Sequence, residues 1–146
     1  MPETSPTFAE RTFTGLCWFQ GCYYFATGVW PIVHVRSFKW VTGEKTDNLP
    51  TGLEADHWLL MTVSVLIVAI ATTILAAAWR RTCSIEIAIL AVTAAIGLTT
   101  IDIVYTVRKV ILPIYLLDAA IEIPLILVWL AVIMYLPQRL TRSNTE

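Results

Sequence analysis

Apolar residues run almost unbroken from Trp58 to Trp79, with no acidic or basic side chain among them. A helix that crosses a hydrocarbon layer needs about 20 such residues, so this stretch predicts a spanning helix. Ile85 to Val107 predicts another, interrupted only by Glu86 at its start and Asp102 near its end. Ile111 to Leu136 predicts a third, strongly apolar but holding Asp118, Glu122 and Pro124. Gly15 to Val35 predicts one more, diluted by aromatic and polar residues, with an interfacial helix as the alternative there. The pattern as a whole predicts an all-α fold. It is an integral membrane four-helix bundle, a single transmembrane domain over residues 1–146 with spans at about 15–35, 58–79, 85–107 and 111–136.

The connections are unequal. Arg80 to Ser84 and Arg108 to Val110 predict tight links, whereas Arg36 to His57 predicts a surface loop broken by Gly43, Pro50 and Gly52. Trp and Tyr favour the headgroup level of a bilayer. Trp58 and Trp79 bracket one span, Trp18 and Tyr135 fall on one side, and Trp30, Trp40 and Tyr105 fall on the other. Met1 to Thr12 is polar and lacks the basic start and short apolar run of a secretory signal, so the segment that follows reads as a retained helix.

Composition agrees with this picture. The chain is 57% hydrophobic and 14% charged, with a mean hydropathy of +0.69. Soluble domains are about 45–50% apolar and about 25% charged. A net charge of -1 without a basic, aromatic-studded patch excludes a nucleic-acid partner. Cys17, Cys22 and Cys83 have no metal-binding or haem-attachment spacing, and no cofactor or metal is expected. Phosphate-binding, dinucleotide and hydrolase motifs are also missing from the sequence. The expected partners are the lipid bilayer and either further copies of the chain or a membrane partner protein. Arg11, Arg80, Arg81, Arg139 and Arg142 share one side; Arg36, Lys39, Lys45, Arg108 and Lys109 share the other. If Arg108 is held inside the bundle, the first group leads and both termini are cytoplasmic in a cell membrane.

Helices in lipid associate through small residues and polar contacts. Ala69, Thr73 and Ala77 form such a stripe, as do Ala91, Ala95 and Thr99, with Thr93 and Gly97 beside them. The short link between these spans predicts that they pack antiparallel through those faces.

Ionisable groups inside spans are costly, about 2.5–3.5 kcal/mol for a central Asp by insertion scales, and are aimed at a protein interior. Asp102, Tyr105 and Arg108 recur at helical spacing, and Asp118 and Glu122 lie four apart on one helix face. Gln20, Tyr23, Tyr24, Thr27, Pro31 and His34 recur similarly in the first span. Direction of travel puts His34 level with Asp102, Tyr105 and Asp118. A polar intramembrane cavity is therefore expected, opening toward the 36–57 loop, with Gln20, His34, Asp102, Tyr105, Arg108, Asp118 and Glu122 as candidate ligand-binding residues. Two carboxyls four apart in a low dielectric resist ionising together, so Glu122, the deeper, is expected to keep its proton. Pro124 cannot donate to the Ala120 carbonyl, which is expected to be free near Glu122. The plainer alternative is a set of salt bridges at the membrane edge, Asp102 with Arg108 and Asp118 with Lys109 or Arg108.

The runs TTIDIVYTVRKVILPIYLLDAAIEIP (Thr99–Pro124) and FQGCYYFATGVWPIVHVRSF (Phe19–Phe38) resemble small four-helix integral membrane proteins of bacteria with no assigned activity. The layout is also similar, in helix count and buried carboxylates alone, to the sterol isomerase and sigma-2 receptor group. The acids of that group fall on helices that are apolar here. The function expected from the residues is binding or transport of a small molecule, lipid or proton. The alternatives are an accessory or structural subunit, or an intramembrane lipid-modifying enzyme in which Glu122 or Asp118 acts as the acid–base group.

Overall fold

The computed structural model describes residues 8–43 and 54–135, with the side chains of residues 54–56 and 135 outside the description. Lys45, Pro50, Gly52, Arg139, Arg142 and the Tyr135 side chain, all used above, therefore lie outside it. Among the described residues the chain forms α-helices and turns: α1 (Phe8–Thr42), α2 (Glu54–Arg80), α3 (Ile85–Val107) and α4 (Tyr115–Tyr135). Three of these, over His57–Arg80, Ile85–Val107 and Tyr115–Met134, are long and apolar enough to cross a membrane. The fourth, α1, is long enough, but its polar and aromatic residues lower its hydropathy.

Four boundaries differ from expectation. Helix α1 begins at Phe8 rather than Gly15, and α2 at Glu54 rather than Trp58. Helix α1 runs seven residues past Val35, so much of the expected 36–57 loop is helical, and α4 begins at Tyr115 after a turn rather than at Ile111. Continuation of α1 depends on a built-in break. His34 leaves helical geometry (φ -146°, ψ 72°) three residues after Pro31. Its Nδ1 accepts the Ser37 backbone N–H at 3.1 Å, as an N-cap side chain accepts from the third residue of a new helix. The Ser37 hydroxyl donates to the His34 carbonyl at 3.0 Å and accepts the Trp30 indole N–H at 2.9 Å, tying the two segments together.

Both short links use the same helix ending. Arg81 (φ 52°) and Lys109 (φ 58°) sit in the left-handed region that glycine usually supplies. Thr82 N–H donates to Ala77 O at 3.0 Å and Arg81 N–H to Ala78 O at 3.2 Å. Val110 N–H donates to Tyr105 O and Lys109 N–H to Thr106 O, both at 2.9 Å. Each pair is a Schellman closure, which satisfies carbonyls that the helix end would leave orphaned. Ser84 then caps α3, its Oγ accepting Ile87 N–H.

Packing departs from the small-residue prediction. The most extensive interhelical contacts join α1 to α2 and α3 to α4, with α1 against α4 next and α2 against α3 after it. Ala69 and Thr73 are exposed, and so are Thr93 and Gly97; only Ala77 and the Ala91–Ala95–Thr99 stripe are buried. A short link brings two helix ends together without dictating which faces meet. The close approach is made instead by Gly21 and Gly28 of α1. A Cβ on Gly21 would meet Leu75 Cγ at 2.7 Å, and one on Gly28 would meet Val68 Cγ2 at 2.9 Å and Ser64 O at 3.1 Å.

An apolar core fills one half of the bundle, where Phe13, Cys17, Ile74, Ala78, Ala88, Ala91, Val92, Trp129 and Val132 pack together. Phe13 meets the Trp129 ring edge-on at 5.1 Å. Trp18 and Trp79 approach at 6.4 Å, so these two aromatics share a level. Outside this core, apolar side chains such as Leu66, Ile89, Leu117, Leu127 and Met134 face outward. Helices that are apolar all round belong in an apolar solvent or in the middle of a larger protein.

Candidate functional site

The opposite half of the bundle holds the buried polar residues. The boundary between the halves is a tie among three helices. Gln20 of α1 donates from Nε2 to the Ala91 carbonyl of α3 at 3.0 Å. Its Oε1 accepts the Trp129 indole N–H of α4 at 2.6 Å. Gln20, Ala91 and Trp129 are each fully buried, so both ends of the amide are used where no water competes.

One turn beyond Gln20 on the same face of α1 lies Tyr24, and two turns before Trp129 on the same face of α4 lies Glu122. Both are buried. The Tyr24 hydroxyl and the Glu122 carboxyl are near enough to act on one another electrostatically. The hydroxyl faces both the Glu122 carboxyl and the Gln20 amide at weak hydrogen-bonding range, and among the described residues none of these approaches closes to full hydrogen-bond geometry. Asp118, half-buried one turn earlier on α4, and Asp102, buried on α3, both lie within electrostatic range of Glu122. Thr99, one turn before Asp102, is buried beside them on α3.

The seven candidate residues thus separate into two sets. Gln20, Asp102, Asp118 and Glu122 turn toward the interior, while Tyr105, Arg108 and His34 are exposed. Tyr105 is 42% exposed, Arg108 is the C-cap of α3, and His34 caps the second segment of α1. The premise for orientation fails with Arg108, which is exposed at the end of α3, so the count of Lys and Arg read from the sequence no longer favours either side. Pro124 and Ala120 are exposed as well, on the face of α4 away from Glu122, so the carbonyl that Pro124 cannot satisfy does not join the cluster.

A pocket of about 310 Å³ lies at the end toward which the cavity was expected to open, but it is lined by Arg36, Lys39, Trp40 and Gly43. A second, of about 510 Å³, lies at the other end among Glu10, Arg11, Thr14, Arg81 and Cys83. Burial, with the negative charge of Glu10 adding to it, pushes the Cys83 thiol up from its ordinary value. Among the described residues, no group of three His, Cys, Asp or Glu is placed to hold a metal ion.

Tyr24 and Trp129 are the members that the candidate set lacks. Tyr24 carried a signal, its four-residue spacing from Gln20. Trp129 carried one only through its seven-residue spacing from Glu122. The chain matches no protein-family model, no curated protein and no solved structure.

Proposed function

We propose that this chain is a four-helix integral membrane protein that binds a small molecule carrying a hydrogen-bond donor, an amine or a hydroxyl, in the polar half of its bundle. The membrane reading is supported by three long apolar helices whose outer faces are crowded with Leu, Ile and Val. Helix α1 supplies the fourth span, its glycine face against α2 and its polar face against α4.

The observation that carries the binding reading is the Glu122 carboxyl, 0% exposed and, among the described residues, with neither oxygen in a close hydrogen bond. A buried polar group without a partner costs about 1–3 kcal/mol, and a charge costs more. Tyr24 across from it makes no close hydrogen bond among the described residues either, so a ligand hydroxyl between them, donating to the carboxyl and accepting from the phenol, would complete both groups. Ionisable groups at such depth mark ligand or ion pathways by default. The satisfied Gln20–Trp129–Ala91 tie favours a second reading for its own part of the bundle, a helix-pairing device of the kind an accessory subunit needs. In the lipid-modifying reading Tyr105 assists the acids, and its exposed position on α3 gives that reading no support.

Native mass spectrometry of the purified protein in mild detergent, beside Asp118→Asn and Glu122→Gln, tests the binding. A reproducible bound molecule that both variants lose is the expected result. Three bare proteins of identical oligomeric state would sink the binding reading and leave the structural one. Resistance to alkaline carbonate extraction tests the membrane reading separately.

A further inference from the structure

The pocket at the end of α1 has a chemistry of its own. Arg36, Lys39, Trp40 and Gly43 follow helical spacing and form one face of the segment beyond the His34 break. Among the described residues its lining is cationic and aromatic, unlike the pocket at the other end, where Glu10 stands with Arg11 and Arg81. Gly43 follows the helix end at φ +88° and packs against Leu112 of the α3–α4 link, where a Cβ would meet Leu112 Cδ1 at 2.8 Å.

We infer that this pocket holds the phosphate of an anionic lipid headgroup. The guanidinium offers paired N–H donors that match two phosphate oxygens, and the ammonium of Lys39, one turn along, adds a point charge. A free phosphate would satisfy the same two groups. Trp40 argues for the lipid: its indole is 87% exposed on the pocket wall, where a soluble anion would gain nothing from it. At the headgroup level of a bilayer the same ring rests against glycerol and upper acyl carbons. The inference rests on the membrane reading but not on the Glu122 cluster. Its plain competitor is that Lys39 merely complements the carbonyl end of α1.

The test reconstitutes wild type and the Arg36→Gln/Lys39→Gln variant in vesicles of phosphatidylcholine with a minor fraction of phosphatidylglycerol. Lipids retained after mild extraction are then counted by native mass spectrometry. Wild type should retain phosphatidylglycerol with about tenfold enrichment over its bulk ratio, and the variant should fall to the bulk ratio. Bulk-ratio retention by a wild type that floats with the vesicles would overturn the lipid pocket and leave the membrane reading standing. So would a variant that keeps the enrichment. Displacement by millimolar inorganic phosphate would reassign the pocket to a soluble phosphate, and failure to float would overturn the membrane reading itself. A variant that melts lower yet keeps its lipid selectivity identifies the helix-end role instead.

Discussion

The Trp129 indole N–H donates to the Gln20 side-chain oxygen at 2.6 Å, and this bond marks where the apolar half of the bundle gives way to the polar half. On one side lie Phe13, Cys17 and Val132; on the other lie Tyr24, Asp102 and Glu122. The two groups are 109 positions apart in the chain, so the bond fixes the rotation of α1 and α4 about their axes as well as their distance.

Gln20→Leu should destabilise the fold by about 1–3 kcal/mol, because the buried Trp129 N–H loses its acceptor. Thermal melts in detergent measure this. Adding Trp129→Phe removes the orphaned donor, so the double variant should cost less than the sum of the two single changes. A strictly additive pair would show that the bond contributes nothing.

The unsatisfied half behaves in the opposite sense. Tyr24→Phe with Glu122→Leu removes buried oxygens that have no hydrogen-bond partner among the described residues, and should raise the melting temperature while abolishing ligand retention. A lower melting temperature without ligand would assign the pair a structural role.

Gly28→Ala should cost about 1–3 kcal/mol, since its methyl group meets Ser64 O, a backbone atom that moves only with the helix. Gly97→Ala is the control. Nothing lies within 4 Å of its added Cβ, and removing a mid-helix glycine should stabilise by about 0.5–1 kcal/mol. Equal effects at the two glycines would contradict the close approach of α1 and α2.

Lys109→Gly should raise stability by about 1 kcal/mol, because a left-handed backbone strains any side chain that has a Cβ. Arg81→Gly should do the same at the α2–α3 link. Melts of the two variants and of their combination test it, and the effects should add because the links lie at opposite ends of the bundle.

Cys83 should react slowly with a maleimide near pH 8, since burial and Glu10 hold its thiol protonated. Its rate should climb as the pH rises toward the elevated value. Neutralising the acid by Glu10→Gln lowers that value, so labelling at pH 8 should speed up. A rate indifferent to the Glu10 substitution would place the acid too far away to matter.

Periodicity and hydropathy are local properties, and what depends on them was legible in the chain. The three strongly apolar helices and the shared face of Asp118 and Glu122 both follow from residue type and rise per residue. The length of α1 was not legible. A capped break at His34 lets helix resume beyond Val35, where the sequence reading places the start of a loop.

Only the tertiary structure decided which faces meet. The stripe Ala69–Thr73–Ala77 and the glycines of α1 are equally small. The choice of Gly21 and Gly28 as the seam depends on Leu75, Val68 and Ser64 fitting over them, which no single segment encodes. Rotation of α3 likewise placed Asp102 inside and Tyr105 and Arg108 outside, although their spacing alone allowed all three on one face. The sequence by itself determined the helices and the price of each polar residue within them. The sum of contacts between distant residues determined where those groups point, because a helix can turn about its axis without changing its own hydrogen bonds.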